Sequence, residues 1–161
     1  AHHVVVRIDR GDGTKTFRQL RWDGRVWRSG RQPRPASLYR LELLAVPGLK
    51  QAVVVEGEKA CDSLNGRDIA GLLAVTFPSG APNVDKADWS PLTGRNVVLW
   101  PDADEPGRKA MTKLATILGP IAASLKMIRT DDLEKGFDAA DVDPEQDMLD
   151  FLRGRVQGVA R

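Results

Sequence analysis

Residues 96–118 read NVVLWPDADEPGRKAMTKLATIL, and the fold turns on this stretch. Asn96 to Trp100 reads as a strand, its last four residues, Val97 to Trp100, all apolar. Pro106 to Leu118 reads as a helix, stopped by Gly119-Pro120. Between them stand Asp102, Asp104 and Glu105. Asp104 is placed to cap the helix, with Pro106 in its first turn. Asp102 and Asp104 are two residues apart, so in extended backbone their side chains point to the same side.

The same strand-then-helix alternation runs outward in both directions. Upstream, the apolar run 51–55 leads into Glu56-Gly57-Glu58-Lys59, a helical pattern over 58–64 and a stop at Asn65-Gly66. A second apolar run spans 72–77, followed by a loop at 78–83 and a short helix at 85–89. Downstream, 124–128 is a fourth strand, and Asp143/Pro144 opens a last helix over 144–153. Strands alternating with helices imply βαβ units and a mostly parallel sheet flanked by helices. The front of the chain differs. Strands at 4–9, 16–22 and 25–28, turned at Gly11-Asp12-Gly13 and Asp23-Gly24, form a small antiparallel β-meander. A linker at 29–36 follows, and Ser37 caps a short helix, 38–45, that ends at Pro47-Gly48. The reading is therefore an α/β chain in two parts, a basic β-meander subdomain over 1–37 and an α/β domain over 38–161.

Composition sets the bounds. The 161 residues are 42% hydrophobic and 29% charged, which is ordinary globular composition. The one cysteine, Cys61, excludes a disulfide framework and a multi-thiolate zinc site, and fits a cytoplasmic location. No stretch of 18 apolar residues occurs, so no membrane is expected as a partner. The net charge of +2 hides an asymmetry: residues 1–40 carry ten basic residues against three Asp, and the remainder is net acidic. A basic first quarter suits a polyanion, and an acidic remainder suits metal ions.

Three acidic clusters follow expected strands or loops: Glu56-Gly57-Glu58, Asp102-Ala103-Asp104-Glu105, and Lys135-Gly136-Phe137-Asp138-Ala139-Ala140-Asp141. In a parallel sheet the carboxyl ends of the strands share one edge, where ligands bind. Glu56 and the Asp102/Asp104 pair are thus expected to converge across 46 residues of sequence. Two unit charges 4 Å apart interact by about 4 kcal/mol at an effective dielectric of 20, so such a cluster calls for a proton or a cation. All-oxygen ligands suit Mg²⁺ or Mn²⁺, which keep positions open for phosphate oxygens and support phosphoryl transfer. The competing readings are structural: Asp104 as a helix cap alone, Glu56-Gly57 as a turn, Asp138 and Asp141 as caps or solvated acids. Each holds for one cluster taken singly, and coincidence is a poorer account of all three.

The order of a strand with Glu56-Gly57, a strand with Asp102-x-Asp104, and Lys135-x-x-Asp138 resembles the Toprim domain shared by bacterial-type primases, topoisomerases and several nucleases. The wording VVVEGEKACDSL, TFPSGAPN, LWPDADEPGRKAM and KGFDAADV is similar to phage and plasmid primases and primase-helicases, over about residues 38–153. The resemblance implies a Toprim-like catalytic domain over 38–161. It also implies a nucleotidyltransferase that makes RNA primers on a single-stranded DNA template from ribonucleoside triphosphates, with a replicative helicase or a fused helicase domain as a further partner. By the same resemblance Glu56, Asp102, Asp104 and Asp138 are the catalytic and metal positions, with general acid/base work on Glu56. Gly80 falls on a family glycine. Such primases carry a zinc-binding domain that reads template, which a chain with one cysteine does not supply. A Toprim nuclease and a non-catalytic nucleic-acid-binding module stay open as alternatives.

The basic residues fit this frame. Arg18, Arg21, Arg25 and Arg28 surround Trp22 and Trp27 on the expected hairpin, where arginine can hold phosphate and tryptophan can stack on a base. Packing of both tryptophans on the core is the competing expectation. Lys59, Arg108 and Lys109 fall on first helical turns near the acids, and Lys135 precedes Asp138. All four are candidate nucleic-acid or nucleotide contacts. Cys61 is expected to be a small core residue, and Tyr39, the one tyrosine, has no covalent role.

Overall fold

The computed structural model describes residues 3–46, 48, 51–67, 69 and 71–159. The chain divides into two compact units, one running to Ala36 and the other starting at Ser37.

The first unit is an antiparallel meander of β1 (His3–Asp9), β2 (Lys15–Trp22) and β3 (Trp27–Ser29), in that order across the sheet. The third strand starts two residues later than expected. Asp23 is the reason: its Oδ1 accepts from the backbone N–H of Arg25 and of Val26, both at 2.9 Å, and this turn holds residues 23–26 out of the ladder. Gly24 takes φ 103°, a conformation that suits glycine.

The second unit is built on five strands: β4 (Gln51–Val55), β5 (Ala74–Thr76), β6 (Asn96–Leu99), β7 (Ser124–Ile128) and β8 (Val156–Gly158). Their order is β5-β4-β6-β7-β8, all parallel except the pairing of β8 on β7. The helix α1 (Glu58–Gly66) connects β4 to β5, and α2 (Glu105–Leu118) connects β6 to β7. They cover opposite faces. Ala60, Cys61 and Leu64 of α1 pack with Val53, Val55 and Trp100, and Met111, Leu114 and Leu118 of α2 pack with Val54, Val97 and Leu99. Burial on both faces explains why these strands read as continuous apolar runs. The mostly parallel, helix-flanked sheet is the architecture expected from sequence.

Three expected helices differ. The one at 38–45 is a 3-10 turn at Leu41–Ala45. Tyr39 instead bridges to Thr76, its N–H donating to the Thr76 carbonyl at 2.7 Å, and Arg40 sits at φ 60°, so Ser37 opens no helix. The expected stop at Pro47 lies outside the described residues. The helix at 85–89 is replaced by 3-10 turns at Ala81–Lys86 and Ser90–Leu92, each started by a proline. The last helix is only α3 (Met148–Leu152), capped by Asp147, whose Oδ1 accepts from Leu149 N–H at 2.7 Å. Asp143 makes a turn of its own, accepting from Glu145 N–H at 2.9 Å.

Candidate active site at the strand carboxyl ends

The strand order creates the site. From β4 the chain runs to β5 on one side, then returns to place β6 on the other. The carboxyl ends of β4 and β6 therefore part at a topological switch point, where a crevice opens. Val54 is level with Leu99, so Glu56 and Pro101-Asp102 leave the sheet at the same height. The Asp102 N–H donates to Glu56 Oε1 at 3.2 Å across this gap. Gly107 makes the approach possible. A Cβ there would collide with Glu56 Oε1 and stand 2.8 Å from the Asp102 carbonyl oxygen and 3.1 Å from its Cβ.

The third cluster is clipped on from above. Ala103 N–H donates to the Phe137 carbonyl at 2.9 Å and Gly136 N–H to the Ala103 carbonyl at 3.2 Å. Trp100, Phe151 and Phe137 stack in sequence, with centroids 5.7 Å and 6.0 Å apart. This pins residue 137 and brings Asp138 near enough for its charge to act on the Asp102 carboxyl. Asp138 folds back on its own loop, accepting from Ala140 N–H at 2.6 Å, while its N–H donates to Asp141 Oδ2 at 2.9 Å.

The electrostatics record the crowding. Burial, then the charges of Glu56, Asp138, Asp104 and Asp141, push the Asp102 carboxyl from 3.8 up to about 7. Glu56 is also raised, chiefly by burial; the Asp102 N–H opposes the rise and the Asp104 charge adds to it. Asp104 caps α2 as expected, its Oδ1 accepting from Gly107 N–H at 2.8 Å. The cap occupies one carboxylate oxygen.

Among the described residues, no three acidic, histidine or cysteine side chains converge tightly enough to chelate one ion. A formed four-carboxylate cage over Glu56, Asp102, Asp104 and Asp138 is thus absent from this arrangement. The donor set still fits Mg²⁺ or Mn²⁺. It is all oxygen, it carries repulsion that a dication relieves, and Mg²⁺ is commonly held by one or two carboxylates with waters filling the rest.

The basic candidates divide. Lys59 joins the cluster, its Nζ 3.4 Å from Asp141 Oδ1. Arg108 stands 3.9 Å from both Glu105 and Asp131. Lys109 turns outward to Glu105 at 3.0 Å, and Lys135 is exposed. On the meander, Arg18 pairs with Val6, and Arg21 and Arg28 are cross-strand neighbours on the opposite face. Arg25 lies in the turn, and the Arg28 Nε donates to Asp23. The four arginines are exposed but do not form one surface. Trp27 is 44% exposed and tilts against Trp22 at 5.5 Å within the meander. Cys61 is fully buried. The sequence offers Asp141 only as a cap or solvated acid at the end of the Lys135–Asp141 run, and it gives Gly107 no signal beyond following Pro106.

The fold is shared with solved DNA primase catalytic domains, which contain the Toprim fold that the sequence resemblance implied. The chain is similar to a DNA primase domain from Pseudomonas aeruginosa (TM-score 0.56, 14% identity, 94% of this chain and 57% of that one). It is also similar to the primase fragment of the bacteriophage T7 primase-helicase protein (TM-score 0.53, 19% identity, 86% and 56%). A DnaG primase catalytic domain bound to ssDNA matches at TM-score 0.55 and 18% identity over 97% and 53%. The chain thus spans little more than half the length of these structures. No family model matches the sequence, and a sequence search of curated proteins also finds no match.

Proposed function

We propose that this chain is the catalytic core of a primase, joining ribonucleoside triphosphates into an RNA primer on a single-stranded DNA template. The observation that carries the reading is the meeting of Glu56 and Asp102 at the switch point, with the Asp102 carboxyl raised to about 7 by its acidic neighbours. Asp102 and Glu56, with Asp104 through the oxygen its cap leaves free and Asp138, would hold Mg²⁺ or Mn²⁺. Bound there, the cation supplies charge neutralisation at the reacting phosphate and a lowered pKa on the attacking hydroxyl. Glu56, held by the Asp102 N–H and half-buried, would accept the proton of the attacking 3′-hydroxyl. Lys59 orients the Asp141 side of the crevice. Arg18, Arg21, Arg25 and Arg28 give the template backbone its countercharge. The solved primase domain bound to ssDNA supports the template as a partner, and the primase-helicase neighbour supports a helicase as a partner of the full protein.

The test is template-dependent incorporation of labelled ribonucleotide with Mg²⁺ or Mn²⁺. Wild type extends, and Asp102→Asn and Glu56→Gln each lose at least about a hundredfold, the usual scale for a positioned acid or base. Cleavage of the template without extension, or extension untouched by both substitutions, would contradict the assignment.

A further inference from the structure

A groove of 570 Å³ runs along the α1 face of the five-stranded sheet. Val98 and Trp100 form its floor, Lys126 of β7 lies beside them, and Leu149 of α3 and Val156 of β8 border it. Asn96 and Ser124, the first residues of β6 and β7, also line it, so it extends to the amino ends of the strands. None of the acids of the crevice borders it.

Three features mark this face as an interface. The first is a gap in the helical layer. Parallel sheets are as a rule covered on both faces. Here α1 lies against β4 and β5, and α3, only five residues long, covers Trp100 through Phe151. Val98 is left half-buried and Lys126 exposed. The second is apolar exposure. Among the described residues of the second unit, the exposed large apolar side chains are Val46, Leu149 and Val156, and the last two border this groove. Apolar surface gathered in one place marks an interaction site. The third is charge. No acidic side chain lines the groove, and the Lys126 ammonium has no carboxylate partner among the described residues. Asp150 directly follows Leu149 on α3, and its ion-pair partner is Arg153 at 3.0 Å, with both side chains more than half exposed. Exposed pairs of this kind hold weakly.

Together these features describe one occupant. The patch carries a knob, Leu149, 63% exposed, next to a hollow floored by Val98 and Trp100. It also carries a cation without a partner next to a loosely held anion. A surface of this kind is complementary to itself across a two-fold axis. We propose that this face joins two copies of the chain, each inserting its Leu149 into the groove of the other, with Asp150 of each copy facing Lys126 of the other. The contact is small, so the dimer is weak, dissociating on the order of ten micromolar. The inference stands apart from the primase reading: the acids lie beyond the carboxyl ends of the strands, and the joined face leaves their crevice free.

Sedimentation equilibrium of the full chain, at concentrations on both sides of that value, tests it. Wild type is expected to show a reversible monomer–dimer equilibrium. Leu149→Asp should weaken the dimer about tenfold or more, the scale of losing a buried apolar anchor. Lys126→Glu and Asp150→Lys should each weaken it several-fold, because each sets like charges against one another. The double variant carrying both swaps restores opposite charges and should return close to wild type. All three side chains are exposed, so the variants are expected to fold, and circular dichroism checks this. A monomer at every concentration overturns the proposal and leaves the groove to a partner of another sequence. A dimer that Leu149→Asp leaves intact belongs to another surface and overturns it equally. Weakening by both charge variants without recovery in the double overturns the facing of Lys126 and Asp150.

Discussion

At Asp102 one carboxyl shares a crevice with four other acids, and its protonation follows from that. Its folded value of about 7 lies above the unfolded 3.8, so the ionised form is worse off folded than unfolded. The stability tied to this group is whole below 3.8 and is lost as pH rises through about 7. In metal-free buffer Asp102→Asn is therefore expected to melt a few degrees above wild type at pH 8, with the gain vanishing at acid pH. An equal gain at both pH values, read by calorimetry, would show that the crowding is not electrostatic. Gly107 acts on the same atoms by shape. Gly107→Ala drives a Cβ into Glu56 and the Asp102 backbone, and overpacking of this kind costs about 1–3 kcal/mol. Denaturant unfolding checks this, and an unchanged midpoint would contradict it. Cys61 marks the opposite case. Burial pushes its thiol up to about 12, and its Sγ lies 3.2 Å from the Ala74 carbonyl, so it should resist alkylation until the protein unfolds.

At the scale of elements, α2 carries two functions on one residue. Asp104 caps the helix and also points a charge toward Asp102, and two substitutions separate these roles. Asparagine caps as well as aspartate. Asp104→Asn should keep stability within about 0.5 kcal/mol while weakening Mn²⁺ binding, and Asp104→Ala should lose about 1 kcal/mol as well. If both variants bind Mn²⁺ like wild type, Asp104 is a cap alone. Elements with a strong local signal were legible in the sequence. The buried runs of β4, β6 and β7 and the capped, proline-started α2 stand where periodicity placed them. What failed to show were elements decided by tertiary pairing. Tyr39 leaves a helical pattern to bridge Thr76, and Val156–Gly158 forms β8 only because β7 offers a free edge. The acids that converge were readable because parallel strands end on one edge. Asp141, the raised Asp102 and the space reserved by Gly107 depend on loop packing that no short-range pattern encodes.

Over the whole molecule, charge is divided by region: ten basic residues crowd the first forty positions, and the acids that matter lie in the second unit. The meander spreads Arg18, Arg21, Arg25 and Arg28 over two faces and a turn, an arrangement suited to countercharge more than to reading a base sequence. Changing all four to glutamine should weaken single-stranded DNA binding uniformly across sequences. The log–log salt slope should fall by about 0.7 for each arginine that meets a phosphate. A slope that does not move would remove the meander from the interface.

The proposed nucleotidyl transfer requires Glu56, Asp102, Asp104 and Asp138 to serve as one cation-holding group. Anomalous diffraction from crystals soaked in Mn²⁺ reads this directly. The expected result is a manganese peak on the Asp102 and Glu56 carboxylates that vanishes in Asp102→Asn crystals. Manganese bound only elsewhere, with these carboxylates carrying no peak, would contradict it.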